Sequence, residues 1–300
     1  SSRVPYALFP PSTKIMRMAA VEVQGLRKSY DGVEAVRGID FEIARGEVFG
    51  LLGPNGAGKT STVEILEGYR PRDAGSVSVL GVDPASAPTS WRQRIGVVPQ
   101  IGDLFVNLTV IEQLELFAGY YQRSRSPEEV IRLVGLDDKR NARFRTLSGG
   151  QRRRLDLGVA LVGDPELLFL DEPTTGFDPA ARRTAWDTIR SLRELGKTIL
   201  LTTHYIEEAA QLADRVAVLR RGEIVATGTP ADLVATVPGT EIRYRRDGEQ
   251  VVLRTEEPVR ALHELTSQAL SDGRELEGLE VHRASLEDVY LALTGEEPEK

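Results

Sequence analysis

Three short stretches of the chain gather residue types that handle phosphate. Gly53-Pro54-Asn55-Gly56-Ala57-Gly58-Lys59-Thr60 fits the pattern G-x-x-x-x-G-K-[ST]. Its glycines let the backbone curl until the N–H groups point at the β- and γ-phosphates of a nucleoside triphosphate. Lys59 supplies a mobile cation and Thr60 a hydroxyl ligand for Mg²⁺. Ser61 follows in the first turn of a helix whose positive dipole end adds to the site. The second stretch, LLFLDEP at 167–173, is a hydrophobic run ending in two carboxylates. Asp171 falls beside the Mg²⁺, through water, and Glu172 falls where it could polarise a water attacking the γ-phosphate. The third is LSGGQRRRL at 147–155. Ser148 is suited to cap a helix, and Gly149 and Gly150 leave the first-turn amides uncovered, so the helix end presents bare donors and about half a unit of positive charge. One triphosphate is already held by the glycine loop. A second phosphate-facing helix end makes sense if it serves a nucleotide on another copy of the chain, although spacing alone does not force that step.

The elements that position these residues follow from apolar patterning. Short uncharged runs recur as VFGLLG (48–53), RIGVVPQ (94–100), LLFLDEP (167–173), TILLTTH (198–204) and VAVLRRGEIVATG (216–228). Such runs suit strands of a parallel sheet buried on both faces. Helical patterns lie between them, in KTSTVEILEGY (59–69) and RRTAWDTIRSLRELG (182–196). The alternation predicts an α/β core, with a hairpin turning at Arg221-Gly222. From about Ile101 to Leu161 the character is helical and reads as an inserted subdomain. After Pro238, TEIRYRRDGEQVVLRT reads as a hairpin turning at Asp247-Gly248, EEPVRALHELTSQAL as a helix, LEGLEVHR as a strand, and SLEDVYLALTG as a helix with Ser285 and Asp288 spaced as a capping box. The expected organisation is a leader over 1–19, a main domain over 20–230 with its helical insert at about 101–161, and a small α+β domain over 238–295.

Composition sets limits. The 300 residues include no cysteine, which rules out a disulfide framework and a thiolate metal site. With 41% hydrophobic and 28% charged residues the chain is globular in composition, and a net charge of -7 argues against a protein built to hold nucleic-acid backbone. No stretch has the run of apolar residues that a membrane span needs. The opening SSRVPYALFPPSTKIMRMAA lacks the apolar centre of a secretory signal and reads as a disordered leader, with a native start near Met16 or Met18.

A glycine loop of this kind is shared by kinases, GTPases, helicases and transporters. The combination of GPNGAGKT, the LFLDEP strand end, LSGGQ and a downstream histidine is narrower: over about Ala20 to Pro230 the chain resembles ATP-binding-cassette (ABC) proteins. The resemblance implies a P-loop NTPase core with an inserted helical subdomain. It also implies that two copies pack head to tail in the ATP-bound state, each ATP lying between one copy's P-loop and the other's Ser148, Gly149, Gly150 and Gln151. By the same resemblance Gln100 would ligate Mg²⁺ and join the core to the helical subdomain, and His204 would contact the γ-phosphate and the catalytic Glu172. Tyr30 would stack on adenine, and Asp178 in TTGFDP would touch the opposite copy; Phe177 stands there where leucine is commoner. His263 and His282 have no such context and are assigned to surface or packing.

The C-terminal 60 or so residues resemble a small domain appended to daunorubicin-resistance-type exporter ATPases. That likeness implies an exporter of drug, lipid or polysaccharide type, working with a separately encoded transmembrane permease and placed in the cytoplasm on the inner face of the cell membrane. The alternatives are an importer ATPase, which differs in direction, and a soluble regulatory ABC protein. Against the latter, the chain carries one P-loop and one LSGGQ and has no room for a long coiled coil. No nucleic-acid partner is expected.

Overall fold

The computed structural model describes residues 19–100, 104–236, 240–246, 249–283 and 285–295. The leader before Ala19, the Ile101 boundary, Pro238 and the Asp247-Gly248 turn lie outside the described residues.

The centre is a sheet ordered β5-β6-β7-β3-β8-β9. It comprises β3 (Val48–Leu52), β5 (Ile95–Val98), β6 (Leu167–Asp171), β7 (Thr198–Thr203), β8 (Arg215–Arg220) and β9 (Glu223–Gly228). The first five are mutually parallel, and β9 folds back antiparallel on β8. Arg221 and Gly222, both at positive φ, make that turn, where the sequence places it.

Both faces of this sheet are covered, which is why its strands are written as unbroken apolar runs. Phe49, Leu51, Leu167, Phe169 and Leu200 pack on one side, against a second, antiparallel sheet β2-β1-β4, made of β1 (Ala19–Tyr30), β2 (Val33–Ala44) and β4 (Ala74–Val79), and against α1 (Lys59–Leu66). The alternate residues Val48, Leu168, Leu170, Ile199 and Leu201 face the helices α3 (Val110–Ala118), α4 (Pro127–Leu133), α5 (Gly149–Leu161) and α6 (Pro179–Glu194). The short α2 (Thr89–Arg92) seats Trp91, whose indole N–H donates to the Val79 carbonyl at 2.8 Å. The apolar runs at 48–53 and 167–173 therefore carry two cores at once, with the period of two that strands impose.

Beyond β7 come α7 (Ile206–Leu212) and α8 (Pro230–Ala235). The C-terminal sheet is ordered β11-β10-β12, from β10 (Thr240–Arg246), β11 (Glu249–Thr255) and β12 (Glu277–Arg283), with α9 (Pro258–Ser271) beside it. The last helix, α10 (Leu286–Thr294), begins with the expected Ser285/Asp288 capping box. Its apolar side leaves that sheet and enters the main core: Leu286, Val289 and Tyr290 cluster with Leu52, Ile206, Ala209 and Leu233, and the Arg220 guanidinium donates to the Leu293 carbonyl at 2.9 Å. His282 stands 3.1 Å from Asp288 at the start of this helix, and His263 is exposed, so both remain outside the phosphate region.

Candidate functional site

Ligands of parallel α/β sheets collect at the carboxyl ends of the strands. In this chain four adjacent strands deliver, at that edge, Gln100 after β5, Asp171 and Glu172 at β6, His204 after β7, and the glycine loop after β3.

The loop's shape is set by what cannot be there. A Cβ on Gly53 would lie 2.4 Å from the Leu219 carbonyl oxygen, and a Cβ on Gly58, whose φ is +105°, would lie 2.4 Å from that of Ala35. The loop is tied from outside as well, since the Gly53 N–H donates to the Thr203 carbonyl at 3.2 Å and the Gly222 N–H to the Ala57 carbonyl at 3.0 Å. Lys59 is buried; its Nζ donates to the carbonyls of Gly53 at 2.7 Å and Pro54 at 3.2 Å. Thr60 is exposed on the first turn of α1, along with Asn55 and Gly56 on the loop, while Pro54 and Ser61 are half-buried.

Glu172 is the meeting point. Its Oε2 accepts from Gln100 Nε2 at 3.0 Å and from Thr175 Oγ1 at 3.2 Å; its Oε1 lies 3.2 Å from His204 Nδ1 and 3.7 Å from Lys59 Nζ. The His204 contact is close but not aligned as a hydrogen bond. Burial pushes the Glu172 carboxyl up, and His204 with Lys59 more than reverses that, leaving it below its ordinary value. Its backbone takes a positive φ of 47°, sparsely populated for any residue but glycine, and is held there by the N–H, which reaches both the carbonyl (3.2 Å) and the hydroxyl (3.0 Å) of Thr202. The same Thr202 hydroxyl donates to Asp171 at 2.5 Å. Burial raises the Asp171 carboxyl above its usual range. Such a group gains most from a cation close by.

The signature stretch is a capped helix end. Ser148 Oγ accepts from the Gln151 N–H, and the Gln151 side chain accepts from the Ser148 N–H at 2.9 Å, so α5 opens on a capping box. Gly149 and Gly150 share with Gly176, Phe177 and Asp178 a cleft of about 290 Å³. Asp178 itself caps α6, accepting from the N–H groups of Ala180 (2.9 Å) and Ala181 (2.8 Å). This cleft is a second location, lined by none of the P-loop residues.

Tyr30 ends β1 with its hydroxyl donating to Ser61 Oγ at 3.1 Å, beside the P-loop helix. The Arg70 guanidinium lies 5.1 Å from its ring centroid, held by Glu64 at 2.5 Å. Reading residue types in order misses Arg70, Thr175 and Thr202, and it misses Glu67, a carboxyl that burial, Asp171 and Glu64 push up to about 8. Most of all it misses Arg153. Among the described residues no group of three or more His, Cys, Asp or Glu side chains forms a self-sufficient metal cage.

A glycine loop gripping a helix N-terminus, a buried strand-end Asp and a carboxylate reached by Gln and His define a P-loop nucleotide-binding protein. Comparison with known proteins narrows the class. The family described as ABC transporter matches residues 36–175, and one described as ABC transporter domain-containing protein-like, C-terminal domain, matches 227–285. The chain is 39% identical to the Nod factor export ATP-binding protein I of Ralstonia nicotianae, over 96% of this chain and 98% of that one. It is 38% identical to the daunorubicin/doxorubicin resistance ATP-binding protein DrrA of Streptomyces peucetius, over 92% of each. A solved ATP-binding subunit of an ABC transporter superposes with a TM-score of 0.65 at 28% identity, over 72% of this chain and 92% of that chain. A dimeric post-hydrolysis ATP-binding cassette bound to ADP and phosphate superposes with a TM-score of 0.63 at 25% identity, over 70% and 98%. The chain belongs to the ATP-binding proteins of ABC transporters.

Proposed function

We propose that the chain is the ATP-hydrolysing subunit of an export system, that residues 20–230 form the ATPase unit and 238–295 an accessory unit, and that hydrolysis occurs between two copies. The observation that carries this reading is the convergence of Lys59, Gln100 and His204 on the Glu172 carboxylate at the strand ends. Glu172 is then the base that orients and deprotonates the attacking water, and His204 holds it in place. Lys59 binds the phosphates together with the P-loop N–H groups other than those of Gly53 and Ala57, which are bonded to the Thr203 and Pro54 carbonyls. Thr60, Gln100 and Asp171 would hold a Mg²⁺ ion: a buried carboxylate, a hydroxyl and an amide oxygen are the hard oxygen donors that phosphate oxygens complete. When bound, the ion neutralises charge that develops on the phosphates.

Ser148, Gly149, Gly150 and Gln151 lie in a cleft apart from their own P-loop, and this separation supports a trans role with Asp178 beside them. Among the described residues no helix is long and apolar enough to cross a membrane. Membrane work then needs a partner. Phe105, Val106 and Tyr120 lie 54%, 55% and 69% exposed around α3, with Phe117 6.4 Å from Phe105 and 6.1 Å from Tyr120. That aromatic face, just past Gln100, suits docking of a separately encoded permease on the inner side of the membrane. The relatives' names, concerned with Nod factor export and drug resistance, support the outward direction.

A slowly hydrolysed ATP analogue with Mg²⁺ is expected to move the light-scattering mass from 33.0 kDa toward twice that value. A mass that stays at one chain under saturating analogue overturns the shared-nucleotide reading. Tyr30→Ala tests the base contact. Base–aromatic stacking contributes about 1–3 kcal/mol, so ATP affinity measured by calorimetry should fall about 5- to 150-fold. Unchanged affinity would remove Tyr30 from the site.

A further inference from the structure

Arg153 stands on α5, two residues beyond the Ser148–Gln151 capping box, and its side chain turns away from the cleft that holds that box, into the space between two strand ends. There its guanidinium meets main-chain oxygens from both strands. Nη1 donates to the carbonyl of Pro99 and reaches that of Gln100 at 3.5 Å, Nη2 donates to those of Asp171 (2.6 Å) and Glu172 (3.3 Å), and Nε donates to that of Pro173 (3.3 Å). These are the residues on either side of the Gln100–Glu172 side-chain contact. A rigid planar fork, with its donors in fixed directions, can hold such a set where a lysine's compact ammonium cannot.

We propose that Arg153 is a positioning residue that couples the Ser148 end of α5 to Gln100 and Glu172 of the same chain. Resting on the shared-nucleotide reading above, the coupling works as follows. A triphosphate carried by one copy engages the α5 end of the other, α5 is set, and Arg153 fixes the carbonyls that aim Glu172 at the second copy's own nucleotide. Each site then reports its occupancy to the opposite one through a single side chain.

The test is a double-mutant cycle on the full chain in Mg-ATP. Arg153→Lys is expected to lower kcat about 10- to 100-fold, the size of effect that small misplacement of a catalytic group brings. KM for ATP should stay within about twofold, and the kcat loss should persist at temperatures well below the variant's melting midpoint, where a residue that merely supports the fold would leave turnover intact. Ser148→Ala should also lower kcat, and the double variant should be no slower than the slower single variant, because both changes cut the same path. An unchanged kcat in Arg153→Lys, or losses that simply multiply in the double variant, would overturn the coupling alone. If Ser148→Ala has no effect and the analogue-bound protein is a monomer, the shared-nucleotide reading fails and takes the coupling with it. Should Arg153→Lys not fold, Arg153→Gln places no unpaired charge in the same space and carries the same expectations.

Discussion

Glu172→Gln is expected to slow ATP hydrolysis by about 10²- to 10⁴-fold, the usual contribution of a positioned base, while ATP affinity changes by no more than a few-fold. The carboxylate is surrounded by groups that favour its charged form: His204, Lys59, Gln100 and Thr175 all face it. A glutamine keeps the shape and one acceptor oxygen but cannot take a proton from water. The pH dependence follows from the direction of the shift. A base works when deprotonated, and the Glu172 carboxyl lies below its ordinary value, so loss of activity through this group appears only as pH falls below the usual carboxylate range of about 4. The same sign holds for stability: the favourable contacts of the charged form are present at neutral pH and disappear as pH drops through that depressed value. Single-turnover phosphate release at several pH values measures the activity, and acid unfolding followed by circular dichroism measures the stability. Undiminished hydrolysis by the variant, or an acid limb near neutral pH that the variant abolishes, would contradict the assignment.

Gly58→Ala is the second large effect, and it should abolish nucleotide binding rather than chemistry. At φ +105° a side chain is strained, by about 1–3 kcal/mol. The added methyl would also sit 2.4 Å from the Ala35 oxygen, which belongs to β2 and cannot swing aside like a side-chain tip. The neighbouring Arg37 N–H is bonded to the Gly222 carbonyl at 2.8 Å, and Gly222 in turn bonds the loop at Ala57. The loop must therefore move, taking its converging amides with it, and ATP affinity should drop by more than about 100-fold. Gly56→Ala is the control: its φ is +78°, but a Cβ there meets nothing within 4 Å, so it carries backbone strain alone. Calorimetric titration of the two variants separates them, and equal losses would mean that the Ala35 contact is unimportant.

Much of this architecture is written in residue types. Doubly buried strands appear as unbroken apolar runs, the glycine loop as glycines of which Gly53 and Gly58 leave no room for a Cβ, and the helix caps as Ser148, Asp178 and Ser285. The antiparallel sheet at the front of the molecule was legible in principle. Asp31 and Gly32, at φ 49° and 83°, form the two-residue turn between β1 and β2, and an Asp-Gly pair just after Tyr30 is the signal of a hairpin. Other features leave no such mark. Every residue has a carbonyl, so nothing in RRR tells which arginine will fan out over five of them. Nor does the apolar stripe of SLEDVYLALTG say whether it covers its own small sheet or the far side of the ATPase core, because a stripe specifies that burial is needed and leaves the partner open.

The seat of α10 has a consequence for how the protein is made. Leu286, Val289 and Tyr290 close over Ile206 and Ala209 of the helix that directly follows His204. During synthesis this apolar hollow stays open until nearly the whole described chain has left the ribosome, since contacts between residues so far apart in sequence can form only late. The ATPase unit of a nascent chain therefore spends most of its translation with a greasy surface uncovered. Early release, or a stop codon ahead of Leu286, should yield a sticky product that chaperones hold or proteases clear.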